Sequence, residues 1–316
     1  MKRNLVPIAG LSLLAAATLC AGDKRVHFLP RLQPGQTITY LIRFQSDKNV
    51  KTESNVVAPM APDAAQIDAH GLLRLEILGV QQSSSSAAIH LRGQFLTFEP
   101  NVQPRTPEEK RSSGQSIEFT IFPDGSVNEV KGLDFLVPEQ KQAWQQWVAR
   151  FALAWTLPPN GMKIGEKWKS GQAEQAGAPV AGLNWARQST YVRDEPCHAS
   201  QLSPAGDVSV SSGPSDTCAV LLTSATLRQN SSSKNATPED FKLHELRTTG
   251  TAKGANEIIT YISLKSGLVV RATEEATQFM DVVVAQADGS NRVHYNVDAK
   301  SHSEVLLVTE TPRHQP

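Results

Sequence analysis

The sequence has little of what nucleic-acid-binding proteins and most cofactor-dependent enzymes require. Only three of its 316 residues are cysteine, aromatic residues make up 6%, and 31 basic residues balance 31 acidic ones. A chain without a basic surplus lacks the attraction that dominates binding to a phosphate backbone. The glycine-rich segment Gly250–Gly254 lacks the Lys and Ser/Thr that complete a phosphate-binding loop. We therefore expect no nucleic-acid partner and no cofactor.

Recognisable catalytic and metal-binding motifs are also missing. The sequence contains no Gly-x-Ser-x-Gly elbow, and His244-Glu245 lacks the second histidine of a zinc-protease helix. Asp288–Asn291 offers oxygen atoms to calcium, but a hairpin turn explains Asp-Gly there without a metal. Glu274 and Glu275 point to opposite faces of a strand, so they cannot act as one carboxyl pair. The sequence favours a non-enzymatic protein without a metal, and an enzyme with an unrecognised site is an alternative.

Long apolar runs are absent except at the N-terminus, where residues 1–22 have the three parts of a signal peptide. Lys2 and Arg3 form a short basic region, and Leu5–Leu19 is apolar and rich in Ala and Leu. This run is short for a hydrocarbon layer about 30 Å thick, which needs roughly 20 residues. The small residues Ala21 and Gly22 follow, and we predict cleavage after one of them. Because no later segment could span a membrane, we expect a periplasmic or extracellular protein.

Cys20 raises the alternative of a lipid anchor. Bacterial lipoprotein signals end in a Leu-small-small-Cys pattern, whose cysteine becomes the lipidated first residue of the mature chain. Here Ala17, Thr18 and Leu19 precede the cysteine. Leu19 departs from the small residue that the pattern requires at that position, which argues against lipidation without excluding it.

The other two cysteines, Cys197 and Cys218, form an even pair once Cys20 is removed. An oxidising compartment permits them to form a disulfide, and we predict that bond. In the loop-entropy model, closing a loop of this size stabilises the fold by about 3 kcal/mol. Two buried free thiols are the alternative.

Most of the remaining chain alternates between apolar and polar residues, which is typical of half-buried β-strands. Two turns separate such runs in the second half, Lys265–Gly267 and Asp288–Asn291, and Pro123–Ser126 plays the same part in the first half. The sequence predicts a mainly β fold of antiparallel meander sheets. The alternating runs are 37–44, 72–80, 87–98, 116–122, 127–130, 256–264, 268–277, 279–286 and 292–299.

The two halves of the mature chain resemble each other in their turns. Aligning Gly35 with Gly165 places Leu32 on Met162 and Ile38 on Trp168. Such matches indicate an internal repeat, although β hairpins also resemble one another for physical reasons alone. We predict a first β-rich half over 23–157, a second over 158–310 and a disordered tail over 311–316.

One amphipathic helix is predicted over residues 138–157, at the end of the first half. Trp144, Trp147, Phe151 and Trp155 recur at spacings of three and four and form one apolar stripe. Pro158 and the proline after it end the helix. The stripe either packs on a sheet and completes the core or lines a pocket for an apolar ligand, and the sequence does not separate these alternatives.

This order of signal peptide, antiparallel meanders and one amphipathic helix resembles exported bacterial all-β proteins of unknown function and, more distantly, lipoprotein-carrier folds. The second resemblance implies a curved sheet that shelters lipid under helices, and this sequence departs from it in having one strong helix. We expect an exported β protein that binds lipid, another apolar ligand or a cell-envelope protein. A structural or assembly module without a ligand is the main alternative.

Overall fold

A computed structural model describes residues 25–28, 31–55, 64–82, 87–103, 116–122, 127–132, 161–173, 179–202, 208–210 and 215–310. The signal peptide, the helix predicted over 138–157 and the tail over 311–316 lie outside these residues. So does the predicted boundary between residues 157 and 158.

The described part of the chain consists almost entirely of β-strands. The strands are β1 Thr37–Ser54, β2 Ala64–Gln82, β3 Ala87–Gln103, β4 Ser116–Ile121, β5 Val127–Lys131, β6 Lys167–Ala173, β7 Leu183–Cys197, β8 Ser200–Leu202, β9 Val208–Val210, β10 Asp216–Gln229, β11 Leu246–Ser263, β12 Val269–Gln286 and β13 Val293–Glu310. One short helix, α1 Glu239–Leu243, precedes β11. Of the helices in the described part, none is long and apolar enough to cross a membrane.

All thirteen strands belong to one sheet, in which the main order is β5-β4-β3-β2-β1-β13-β12-β11-β10-β7-β6. Every pairing along this order is antiparallel, as predicted, and among the described strands only β8 pairs in parallel, with β13. The strands of the two predicted halves meet where β1 pairs with β13, with Ile42 opposite Val305. The mainly β, antiparallel fold class is therefore confirmed.

Two predicted turns connect the last three strands. Lys265–Gly267 lies between β11 and β12, and Asp288–Asn291 lies between β12 and β13. In the second turn the Asp288 carboxyl group accepts a hydrogen bond from the Ser290 backbone N–H at 2.8 Å. That interaction is a turn interaction and needs no metal ion. The third turn, Pro123–Ser126, lies outside the described residues.

Several strands extend beyond the predicted runs. The polar segments 45–70 and 99–114 suggest surface loops, but β1 continues to Ser54, β2 begins at Ala64 and β3 continues to Gln103. Residues such as Asp47 and Lys48 pair with both neighbouring strands although their side chains are partly or fully exposed. Backbone hydrogen bonds to neighbouring strands can hold a strand that has no apolar alternation, so the polar composition did not reveal these extensions.

Most of the buried apolar side chains of the described strands lie on one face of the sheet, which we call the inner face. It carries Tyr40, Ile42, Ala272 and Val305, all less than 5% exposed. The main core on this face joins residues of both halves with the segment before β1. Its other members are Phe28, Leu32, Ile38, Leu73, Leu75, Ile77, Ile89, Leu91, Phe95, Ile117, Phe119, Ile121, Met162, Tyr191, Ala219, Leu221, Ile262, Leu268 and Val269.

The turns that precede β1 and β6 have the same hydrogen-bond pattern. Gly35 donates to the Ile77 carbonyl oxygen at 2.8 Å, and Gly165 donates to the Tyr191 carbonyl oxygen at 2.6 Å. Both glycines have positive φ, of 81° and 86°, which a tight turn of this kind requires. When the two turns are matched, Ile77 of β2 takes the same position as Tyr191 of β7. Other positions in the two halves are compared by counting from this pair.

Candidate functional site

The predicted disulfide is present between Cys197, at the end of β7, and Cys218, near the start of β10. Their Cα atoms are 5.7 Å apart, and Cys218 is fully buried. Cys218 alternates with Ala219 of the main core, so the bond lies on the opposite, outer face of the sheet. The alternative of two buried free thiols is therefore wrong.

A row of buried polar side chains crosses the inner face in the second half. The backbone register places Ser189 opposite Thr223, Ile258 opposite Glu274, and Glu274 opposite Ser303, and Thr223 pairs with Ile258 between them. The next row contains Arg187, Ala225 and Asn256. The polar side chains of these two rows form what we call the polar belt, and each is at most 8% exposed: Arg187, Ser189, Thr223, Asn256, Glu274 and Ser303.

The polar belt separates two apolar clusters. On β10, Thr223 lies between Leu221 of the main core and Leu227, and on β12, Glu274 lies between Ala272 and Val282. Leu227 and Val282 belong to a smaller second cluster on the inner face, whose other members are Val180, Leu183, Ala236 and Ala252. The polar belt therefore crosses five adjacent strands, and an apolar cluster lies on each side of it.

Side-chain hydrogen bonds connect the belt. The Ser189 and Thr223 hydroxyl groups lie 2.7 Å apart. The Glu274 carboxyl group accepts from the Asn256 amide nitrogen through Oε1 and from the Ser303 hydroxyl through Oε2, the latter at 3.0 Å. These bonds join β11, β12 and β13 through their side chains, so the group around Glu274 is held on three strands.

Asn256 contributes a buried hydrogen-bond acceptor to the polar belt. Asn256 is 8% exposed, and its Oδ1 atom is buried without a hydrogen-bond partner among the described residues. The orientation of the amide follows from its partner, because only the NH₂ group can donate to Glu274. The belt therefore contains a buried acceptor that can receive one more hydrogen bond.

The equivalent rows of the first half are apolar. From the shared turns, Leu75 corresponds to Ser189 and Leu73 to Arg187, two and four residues before the aligned Ile77 and Tyr191. The row Ile38–Leu75–Gly93–Ile117 thus corresponds to Trp168–Ser189–Thr223–Ile258. The same strand arrangement forms with apolar residues at these positions.

The apolar rows of the first half are also filled. Leu75 packs with Leu32, Ile38, Ile77, Ile89, Leu91 and Ile121, and these side chains leave no space for a water molecule between them. A ligand on this part of the inner face would have to displace the core itself. If the inner face binds a ligand, the polar belt of the second half is the better position for it.

The outer face carries exposed ion pairs. The Glu304 carboxyl group accepts from the guanidinium groups of Arg43 and Arg271, both at 3.1 Å. Glu275 Oε1 lies 2.6 Å from His302 Nδ1. As predicted, Glu275 and the buried Glu274 are on opposite faces and do not act together. No group of three or more His, Cys, Asp or Glu side chains within the described ranges is arranged to hold a metal ion.

A histidine between two carboxyl groups lies near the other end of the outer face. His294 Nε2 is 2.6 Å from Asp281 Oδ1, and Nδ1 is 3.6 Å from Glu53 Oε2. The hydrogen bond with Asp281 raises the pKa of His294, and Glu53 adds to this effect. All three side chains are at least one-third exposed. The arrangement stabilises a charged imidazole but does not form an enclosed site.

The predicted ligand face and the observed polar belt are different sets of residues. Trp144, Trp147, Phe151 and Trp155 lie outside the described residues. Sequence reasoning missed the belt, although Asn256, Glu274 and Ser303 each occupy a position where the alternation of their strand places the side chain on the apolar face. A polar residue at an inward position is the signal that could have identified them.

Comparison with known proteins adds no family to these observations. No protein-family model matches the sequence, and no curated protein matches it. Among solved structures, similarity is found to a Bacteroides fragilis protein classed as exported, with a YmcC-like fold, at 9% identity and a TM-score of 0.24, covering 89% of this chain and 97% of that one. DynF from the dynemicin biosynthesis pathway of Micromonospora chersina is similar at 10% identity and a TM-score of 0.21, covering 93% and 90%.

A third similarity is to OccK7 (OpdD) of Pseudomonas aeruginosa, at 9% identity and a TM-score of 0.19, covering 87% of this chain and all of that one. TM-scores near 0.2 do not assign the chain to any of these families. The class that the fold defines is a mainly β protein with one large antiparallel sheet and an intramolecular disulfide.

Proposed function

We propose that this chain is an exported, non-enzymatic β protein whose inner face binds lipid or another apolar ligand. The observation that carries the proposal is the contrast between matched positions, which are packed and apolar in the first half and polar and buried in the second. Burying polar groups costs free energy relative to well-packed apolar residues. Since the fold forms without them in the first half, a ligand-binding role explains their presence in the second.

The predicted aromatic stripe supplies the apolar surface in this proposal. Trp144, Trp147, Phe151 and Trp155 would contact the apolar part of the ligand, and the polar belt would contact a polar part. Aromatic side chains bury large areas and are common in pockets for apolar molecules. A cell-envelope protein is the alternative partner for the same surface.

Native mass spectrometry of protein purified from its own host tests the proposal. A lipid that co-purifies in stoichiometric amount supports it, and a bare polypeptide under gentle conditions counts against it in favour of a structural or assembly module. Trp147→Ala, on the stripe, should reduce the bound fraction at least several-fold, whereas Gln146→Ala, beside it in sequence and off the stripe, should leave it unchanged.

Export is a separate part of the proposal. The disulfide supports it, because such bonds persist in oxidising compartments, and so does the three-part pattern of residues 1–22. Intact mass of the mature protein should show an N-terminus at Gly22 or Asp23. A mass that corresponds to acylated Cys20 would instead establish the lipid anchor, and an uncleaved chain would overturn the signal-peptide prediction.

A further inference from the structure

We propose that the ligand carries a polar group that donates hydrogen bonds, a hydroxyl or a protonated amine, and that Asn256 Oδ1 recognises it. This inference rests on the proposed apolar-ligand function and specifies the chemistry of the ligand. Asn256 offers the oxygen of its amide because the nitrogen is already used by Glu274.

The neighbours of Asn256 fix the direction of that oxygen. Glu274 accepts from Asn256 with one carboxyl oxygen and from Ser303 with the other, and the three residues lie on three adjacent strands. Groups on packed strands hold their geometry better than groups on loops. A rotation of the amide would place two acceptors against each other, since Oδ1 would then face the Glu274 carboxyl group.

The position of Asn256 selects a ligand that is mostly apolar. The side chain is more than nine-tenths buried, and the main core and the second cluster lie on either side of the polar belt. A strongly polar molecule would lose its hydration on entering this region, whereas a long hydrocarbon chain gains from burial. A single donor group at its end would satisfy Asn256 Oδ1, which has no partner among the described residues.

The charge around the site argues against an anionic head group. Glu274 lies one strand from Asn256 on the inner face and accepts from its amide nitrogen, so an anionic group at Asn256 Oδ1 would approach a carboxyl group. Arg187, the belt's basic residue, lies two strands from Asn256 in the same row. A hydroxyl or an amine pairs with Asn256 Oδ1 and places no negative charge beside the Glu274 carboxyl group, so either donor fits the site.

The experiment compares three probes that share one hydrocarbon chain, with the mature chain 23–316. Monooleoylglycerol presents hydroxyl donors, oleylamine presents an amine, and methyl oleate has no donor. In titrations followed by native mass spectrometry, at least one donor-bearing probe should bind about tenfold more tightly than methyl oleate, as expected for one buried hydrogen bond. Asn256→Leu, of similar volume, should abolish this preference, and Thr260→Val, a buried change on the same strand and face, should retain it.

The outcomes separate this inference from the proposed function. Equal binding of all three probes would overturn the donor inference and leave apolar-ligand binding standing, and binding of none would overturn both. A preference that persists in Asn256→Leu would show that another group recognises the head. If Asn256→Leu does not fold, Glu274→Gln serves in its place, because a glutamine amide releases the orientation of Asn256 and should also remove the preference. The probe that binds more tightly distinguishes a hydroxyl from an amine.

Discussion

Among single residues, Tyr40 makes a long-range contact between the two halves. Its hydroxyl donates to the Val269 carbonyl oxygen at 2.9 Å, and the side chain is fully buried. Burial raises the pKa of Tyr40 well above its ordinary value, so the phenol stays a donor at all working pH values. Tyr40→Phe should destabilise the fold by about 1–2 kcal/mol, because it leaves a buried carbonyl oxygen without this bond. Urea denaturation measures the loss, and Tyr295→Phe at a partly exposed position should cost much less.

The raised pKa of His294, on the outer face, predicts that the stability of the fold depends on pH. Asp281 and Glu53 raise its pKa above the ordinary value of 6.5, so folding favours the protonated form. The stabilisation is fully present below about pH 6.5 and is lost as the pH rises through the raised pKa of the folded state. Histidine titration by NMR should show the raised pKa, and Asp281→Asn should lower it.

The control for this titration is Glu275→Gln. Glu275 pairs with His302 and not with His294, so its removal should leave the pKa of His294 in place. A His294 pKa that does not fall in Asp281→Asn would show that the hydrogen bond with Asp281 is not its cause.

The face on which each polar-belt residue lies could be predicted from the sequence, but the contacts between these residues could not. Alternation assigns a side chain to a face, and it correctly separated Glu274 from Glu275. It does not reveal which residues from distant strands share a transverse row, because the pairing register is a property of the folded sheet. Asn256, Glu274 and Ser303 are separated by 18 and 29 residues in sequence, yet they bond side chain to side chain.

Between elements, the Ser189–Thr223 contact should give a measurable coupling across β7 and β10. Thr223→Val leaves the Ser189 hydroxyl without this partner and should cost about 1–2 kcal/mol. The double change Ser189→Ala with Thr223→Val should cost less than the sum of the single changes, since both polar groups are removed together. Ser189→Ala combined with Thr260→Val should be additive in the same denaturation experiments. Additivity of the first pair would contradict a direct hydrogen bond.

The disulfide should stabilise the region between β7 and β10. The bonded cysteines are 21 residues apart, and in the loop-entropy model opening a loop of this size costs about 3 kcal/mol. Cys197→Ala with Cys218→Ala should lower the free energy of unfolding by about this amount. Dithiothreitol should reproduce the loss in the wild type and have no effect on the double variant. A wild type insensitive to the reductant despite full reduction would contradict the prediction.

At this scale the strand positions were largely predictable, and their ends were not. Lys265–Gly267 and Asp288–Asn291 contain residues that turns favour, so the hairpins around them were recognisable. Residues 45–54 are polar except for the buried Val50, and one apolar residue does not distinguish such a strand from a loop. Nothing in the sequence around His244 indicates that α1 ends at Leu243 or that Glu245 takes a positive φ of 58° before β11 begins.

For the whole molecule, the shared core predicts that both halves unfold together. Phe119 of the first half belongs to the same cluster as Leu221 of the second, and Phe28 packs edge-on against Tyr191 with ring centroids 5.2 Å apart. Hydrogen exchange in increasing urea should therefore expose the central amides of β3 and β10 in one transition. Two transitions separated in urea would show that the halves are independent domains.

The pairing of β1 with β13 also has a consequence for biosynthesis. The first and the last strands of the described chain are neighbours, with Thr39 opposite Val308. During synthesis or translocation β1 therefore has one unpaired edge until β13 is available. The same holds for β12, which pairs with the other edge of β13. Contacts between such distant residues form slowly, and unpaired strand edges attract other chains. The nascent protein thus has a late, vulnerable stage at which a chaperone that shields strand edges would be most useful.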